Sequence, residues 1–226
     1  MMPERIVKVT RENLNQGLVR QMVTERDDQT TVASDAELLA SRRQIIPDDF
    51  DCKDLWVFGY GSLIFNPVIE HTSKIKAKIF GKHRRFCLRT RIGRGTPECP
   101  GLVLALDRGG SCTGVAFRMN PDNAISELDL LWRREMITLA YHARWVKLHT
   151  AEGIKHGITF VSIPDHQNYA PVMPMQSEVE IIAEASGFIG PCREYLFDTV
   201  NGLHEHGIRD PYLENLSKAV KARLAL

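Results

Sequence analysis

The sequence predicts an α+β domain, a strand-rich centre with helices at both ends, and three observations carry that prediction. Short apolar runs bounded by glycine fill the stretch from Leu55 to Ile163. Before and after it, apolar residues recur at three- and four-residue spacing, and no internal repeat or low-complexity tract interrupts the pattern. A chain of 226 residues buries roughly 70% of the surface that its unfolded form exposes, so its core needs neither a disulfide nor a metal to hold it. One main domain over residues 51–226, preceded by an N-terminal helical extension over residues 1–50, is the expected organisation, with a disordered tail in place of that extension as the alternative.

The elements follow in order. Leu14, Leu18, Met22 and Val19 mark one face of a first helix that Thr10 can cap and the polar stretch Glu25 to Thr31 ends. A second helix is expected from Asp35 to Arg42, stopped by Ile45-Ile46-Pro47. Leu55 to Tyr60 reads as a buried strand, followed by a turn through Gly61-Ser62-Leu63-Ile64 and Asn66-Pro67. Six further strands are expected at Ile75 to Phe80, Arg85 to Thr90, Gly101 to Asp107, Cys112 to Met119, Tyr141 to His149 and Lys155 to Ile163. A helix opens between them, with Asn120 as its N-cap and Pro121 in its first turn, where a missing N–H costs nothing. Beyond a loop held open by Pro171 and Pro174, helices resume from Ser177 to Ala185, from Glu194 to His206 with Gly207 as terminator, and from Asp210-Pro211 through Leu213, Leu216, Val220 and Leu224.

Composition narrows the function. Lys+Arg 29 against Asp+Glu 28 leaves a formal net charge of +1, which supplies no field to attract nucleic acid or an anionic membrane. No segment approaches 18 apolar residues, and the start has no apolar run of signal-peptide length. Five cysteines, an odd number without a Cys-x-x-Cys pair, read as free thiols in a reducing cytosol. A cytoplasmic protein is therefore expected, and nothing in the sequence specifies its oligomeric state.

Three segments could carry chemistry. In Val57-Phe58-Gly59-Tyr60-Gly61-Ser62-Leu63, two glycines just after a strand let the backbone turn tightly and aim successive N–H groups into one concavity suited to a carboxylate, phosphate or oxyanion. It is neither a dinucleotide fingerprint nor a P-loop nor a nucleophile elbow, and a ligand-free turn fits the same residues. Glu135 stands at the edge of the apolar stripe Ile125, Leu128, Trp132, Met136 and Leu139. Held against apolar neighbours it would have the raised pKa that a general acid or base needs, while an ion pair to Arg85, Arg89, Arg91 or a similar basic residue, or simple snorkelling at the helix edge, would make it structural. From Arg89 to Gly101, three arginines, three glycines and two prolines form a basic loop able to meet a small anion, although solvation alone or pairing with Glu98 would also account for it. The histidines show no metal-ligand spacing, so no metal is expected.

Taken together, the motifs resemble one family. Trp56-Val57-Phe58-Gly59-Tyr60-Gly61-Ser62-Leu63-Ile64 with Asn66-Pro67 is similar to the opening motif of the ChaC family, the glutathione-specific gamma-glutamylcyclotransferases. The resemblance continues through Gly95-Thr96-Pro97-Glu98, Pro100-Gly101, Gly114-Val115-Ala116 and Trp132-Arg133-Arg134-Glu135-Met136. It extends to Ala185-Ser186-Gly187, Tyr195-Leu196, Gly207-Ile208-Arg209-Asp210 and Tyr212-Leu213, about residues 55 to 217. The longer helical ends resemble the larger, bacterial type of member, and Phe65 stands where many members carry Trp.

The resemblance implies a small, partly closed mixed β-barrel flanked by helices. It implies cleavage of glutathione to 5-oxo-L-proline and L-cysteinylglycine without a cofactor, with Glu135 as the catalytic residue and Val57 to Leu63 as the substrate-binding segment whose backbone stabilises an oxyanion. Arg94 and Tyr195 are expected as supporting residues. A cyclotransferase acting on other γ-glutamyl peptides or amines, or a non-catalytic binding module of the same fold, remain alternatives.

Overall fold

The computed structural model describes residues 7–27 and 30–225. The helical start divides in two: α1 (Arg11–Asn15) is capped by the Thr10 side chain, which accepts from Asn13 N, and α2 (Leu18–Arg26) follows. The single helix expected here breaks because Gly17 takes a left-handed φ of 70° between them. Of the stretch expected to end it, Asp28 and Gln29 lie outside the described residues. α3 (Asp35–Ile45) opens on a capping box in which Ser34 and Glu37 satisfy each other's backbone N–H. Its Leu38, with Ala33 and Ile46, joins the main core.

Five strands close a mixed barrel in the order β1-β3-β2-β4-β5, with β3 also pairing β5. They are β1 (Trp56–Gly59), β2 (Ser73–Thr90), β3 (Gly101–Arg118), β4 (Tyr141–Thr150) and β5 (Gly153–Ser162). β1 runs antiparallel to β3 and parallel to β5, so it seals the barrel. The four strands expected between Ile75 and Met119 are two long ones. Lys82, His83 and Arg84 read as interruptions, yet they keep the ladder, pairing Arg108, Asp107 and Leu106 beyond a register shift at Phe80/Lys82. Arg84 and Arg85 are buried because carboxylates meet them, Asp210 at 3.3 Å and Asp107 at 2.7 Å.

The expected turn after β1 is a single helical turn, α4 (Ser62–Phe65). α5 (Ala124–Glu135) starts three residues later than expected and takes Asn123 as its N-cap; the Asn120 side chain accepts from Asp122 N within the preceding turn. Met136 and Leu139 consequently fall beyond the helix, Met136 as its C-cap and Leu139 with φ 53°. Trp132 packs edge-on against Phe160 at 5.3 Å, seating α5 against the barrel. α6 (Met175–Glu184), a hairpin of β6 (Ser186–Gly187) and β7 (Gly190–Pro191), α7 (Cys192–Glu205) and α8 (Pro211–Leu224) complete the fold. Asp210 caps α8, accepting from Leu213 N, and Gly207 takes φ 63° after α7. Of the expected α8 stripe, Leu213, Leu216 and Val220 are buried, while Leu224 is exposed.

Candidate active site

The end of β1 and the end of α5 meet at one cavity of about 720 Å³. Tyr60, Gly61, Ser62 and Leu63 line it from one side, Arg134 and Glu135 from α5, Arg94 from the basic loop and Tyr195 from α7. Val57, Phe58 and Gly59 do not line it. They are the buried strand that aims the following turn, and Val57 and Phe58 have no exposed surface. The substrate-binding segment expected over residues 57–63 thus reaches the cavity only through its second half.

Gly61 has a φ of −138° rather than a positive one, with ψ at −124°. It needs glycine for space: a Cβ there would sit 2.8 Å from the Tyr195 hydroxyl. That hydroxyl accepts from Leu104 N at 3.3 Å, so α7 is tied to β3 at the point where the turn passes. α4 has no side-chain cap, and the first N–H groups of a helical turn have no partner within it. The residues after Gly61 therefore offer backbone donors beside the cavity.

Glu135 is the last residue of α5 and its side chain is 14% exposed. Its Oε1 lies 3.0 Å from Arg134 Nε, yet it accepts no hydrogen bond among the described residues. Of the ion-pair partners expected from sequence, Arg85, Arg89, Arg91 or a similar basic residue, the place is taken by its own neighbour Arg134. Burial pushes the Glu135 pKa up and the Arg134 charge pulls it only partly back, leaving it above the ordinary 4.5. Tyr60, Tyr141 and Tyr195 surround this carboxylate, and burial first, then the neighbouring negative charge, pushes their phenol pKa values up. They stay protonated; the Tyr141 hydroxyl donates to Leu104 O at 3.4 Å, and those of Tyr60 and Tyr195 can donate into the site.

Arg94 donates to Pro191 O at 3.1 Å and lies over the Tyr195 ring at 6.0 Å, and burial lowers its pKa. The β6–β7 hairpin positions it. A Cβ on Gly187 would come within 2.5 Å of Gly95 O and 2.6 Å of Gly93 O, so only glycine lets the hairpin dock on the basic loop. Phe65 is a cavity wall, edge-on to Tyr195 at 6.2 Å.

Two residues of this site carried no signal in the one-dimensional pattern. Tyr141 begins β4, far along the chain, and Arg134 reads as an ordinary basic residue of a helix end. Arg134 Nη1 donates to Asn66 O, which ties α5 to the loop after α4. Its place next to Glu135 within the Trp132 to Met136 motif was the hint the sequence held. Among the described residues no group of three or more His, Cys, Asp or Glu is placed to hold a metal ion, and all five cysteines are free thiols.

Comparisons with known proteins converge on these elements. The model of the family described as ChaC-like protein matches residues 55–223. A glutathione-specific gamma-glutamylcyclotransferase of Escherichia coli K12 is 42% identical over 172 residues, covering 76% of this chain and 74% of that protein. Gamma-glutamylcyclotransferase 2-1 of Arabidopsis thaliana is 33% identical over 185 residues, 76% of this chain and 84% of its own length. Among solved structures, a yeast gamma-glutamyl cyclotransferase specific to glutathione superposes with a TM-score of 0.68 at 24% identity, covering 74% of this chain and 96% of that one, which establishes the shared fold. A match over residues 55–223, carrying both the β1 turn and the α5 glutamate, makes this chain a member of the ChaC-like family.

Proposed function

We propose that the protein cleaves glutathione by intramolecular cyclisation of its γ-glutamyl group, releasing 5-oxo-L-proline and L-cysteinylglycine. The observation that carries this reading is a buried carboxylate of raised pKa, Glu135, on the same cavity as the backbone donors after Gly61. The Escherichia coli relative, named as specific for glutathione, supports it.

The chemistry needs little more than those groups. Glu135 accepts a proton from the substrate α-ammonium, and the freed amine attacks the γ-carbonyl carbon of the same molecule, closing a five-membered ring. The carbonyl oxygen becomes an oxyanion, held by N–H groups of the Gly61 to Leu63 turn. As the tetrahedral centre collapses, the C–N bond to cysteine breaks, protonated Glu135 returns its proton to the departing nitrogen, and the second hydrogen of the attacking nitrogen leaves as a proton for the released cysteinyl amine, which gives the lactam N–H and an ammonium group. Nucleophile and electrophile belong to one molecule, so the site chiefly folds the glutamyl chain into attack geometry. Tyr60 and Tyr195 supply neutral donors around the carboxylate, and Arg94 supplies positive charge for a substrate carboxylate.

In this reading residues 51–226 form the catalytic domain and residues 1–50 an extension of it, and the protein works in the reducing cytosol. Its five free thiols fit that compartment, and no helix of the described residues is long and apolar enough to cross a membrane. Incubation with reduced glutathione tests the activity: 5-oxoproline and cysteinylglycine should appear in equal amounts, and no 5-oxoproline above the enzyme-free blank would overturn it.

A further inference from the structure

The cavity is walled in part by chain that precedes the family match. Lys8, Val9, Thr10, Arg11, Leu14 and Val19 line it, although the matched region begins at residue 55. This wall is anchored at several points. Val7 N donates to Phe188 O at 2.8 Å, Asn66 Nδ2 donates to Val9 O at 2.9 Å, and Arg11 grips buried Glu127 through both guanidinium nitrogens, at 2.6 and 2.5 Å. Asn66 also accepts from Arg134 through its own carbonyl, so the seat of the wall is one residue removed from the arginine that touches Glu135.

The charge of the lining is one-sided. Six cationic residues, Lys8, Arg11, Arg89, Arg91, Arg94 and Arg134, share the cavity with a single carboxylate, Glu135, among the described residues. Four of the six are engaged: Arg11 with Glu127, Arg91 with Asp27, Arg134 with Glu135, and Arg94 with Pro191 O. Lys8 and Arg89 are both exposed, which puts them at the rim, whereas Tyr60 and Tyr195 beside Glu135 are buried and form the floor. A peptide whose γ-amide reaches Glu135 on the floor must send its far end outward, and in glutathione that end is the glycine carboxylate.

We infer that the N-terminal segment is part of the substrate site, and that Lys8 with Arg89 receives the C-terminal carboxylate of the γ-glutamyl peptide. This rests on the activity proposed above. It makes the pair specificity-determining: a peptide with a free C-terminal carboxylate is favoured over one whose end is blocked or missing.

The test compares glutathione with its glycine monoethyl ester, which keeps every reacting atom and loses only the outer charge. In the Lys8→Ala/Arg89→Ala double variant, KM for glutathione should rise about tenfold with kcat within about twofold, because an interaction equal in ground and transition states is lost. The ester should be handled alike by both proteins, and Lys8→Arg/Arg89→Lys should restore discrimination. An unchanged KM for glutathione, or equal losses on glutathione and ester, would overturn the inference. Binding of S-methylglutathione and of its ester to Glu135→Gln protein, measured by calorimetry with and without the double substitution, separates the two claims. Should wild-type protein release no 5-oxoproline, the proposed activity fails, and selective weakening of the free acid by about tenfold still upholds the carboxylate site, whereas equal affinities for acid and ester overturn it.

Discussion

Arg85–Asp107 and Arg134–Glu135 are two arginine–carboxylate pairs of similar side-chain exposure, 8% and 11% in the first and 8% and 14% in the second, but the second pair lies deeper in the protein. Their carboxylates are treated in opposite ways. Asp107 accepts from Arg85 Nε at 2.7 Å, from the Tyr169 hydroxyl at 2.8 Å and from Arg108 N at 2.8 Å. Burial alone would raise its pKa, but these donors outweigh it and hold it below the ordinary 3.8. Glu135 has a cation beside it and no aligned donor on Oε1, so burial wins. A saturated carboxylate is a structural fastener. One set deeper in the protein and left short of donors beside a cavity is available to exchange a proton, and depth and donor count together separate the site from the scaffold.

The largest test of that contrast is Glu135→Gln, which keeps the shape and removes the proton transfer. Turnover should fall at least about 100-fold while the fold persists; retention of more than a tenth of wild-type 5-oxoproline release would return Glu135 to the structural class. The reciprocal substitution, Asp107→Asn, should leave kcat within about threefold and cost about 3 kcal/mol in urea denaturation, since it strands Arg85 beside a neutral partner. If activity instead collapses in a folded Asp107→Asn protein, the division between fastener and reagent is wrong.

The pH dependence of stability sharpens the same comparison with opposite signs. Asp107, depressed in the fold, stabilises the protein above pH 3.8 and loses that contribution as pH falls through its lower folded value. Glu135, raised in the fold, costs nothing below pH 4.5 and increasingly opposes folding as pH climbs through its raised value. As pH rises from 4.5 towards neutrality, Glu135→Gln should therefore gain stability relative to wild type, whereas the deficit of Asp107→Asn should stay constant over that range and shrink only as pH falls below 3.8. Parallel slopes for the two variants in denaturation series would refute the assignment.

Smaller effects are expected around the turn. Gly61→Val drives a side chain into the Tyr195 hydroxyl, 2.8 Å away at Cβ already, and should cut kcat/KM by at least about tenfold. Ser62→Ala leaves the backbone path intact and should cost about 1 kcal/mol, a factor of roughly five. Steady-state kinetics on both variants would contradict backbone recognition if their order were reversed. Least of all, serine at Cys52, Cys99 and Cys112 should leave turnover within about twofold, because the attacking amine belongs to the substrate; a γ-glutamyl thioester trapped on any of them and seen by mass spectrometry would demand a different chemistry.

Several elements were legible in the sequence because their causes are local. Thr10 and Asp210 cap the helices they precede, β1 falls within its apolar run, and the stripe Val179, Ile182 and Ala183 is buried as its spacing predicts. Others were misread for equally physical reasons. The long strands β2 and β3 carry charged residues in mid-ladder, and those charges look like breaks until Asp107 and Asp210 are seen to neutralise them. The Asn120 cap failed because its side chain serves the preceding turn, leaving Asn123 to open α5.

By itself the sequence determined the α+β class, the glycine-bearing turn after β1, and a glutamate at the margin of an apolar helix stripe, since each depends on neighbours within a few residues. It also carried the family resemblance in ordered motifs. Only the tertiary structure decided that Val57 to Gly59 are scaffold while Tyr60 to Leu63 face the cavity, that Glu135 meets Arg134 rather than the arginines of β2, and that Lys8 stands on the same cavity as Arg89. Those facts depend on which surfaces are brought together when the barrel closes and α7 docks against it. Whether a carboxylate is left short of donors is decided by residues far away in the chain, and no local pattern encodes that.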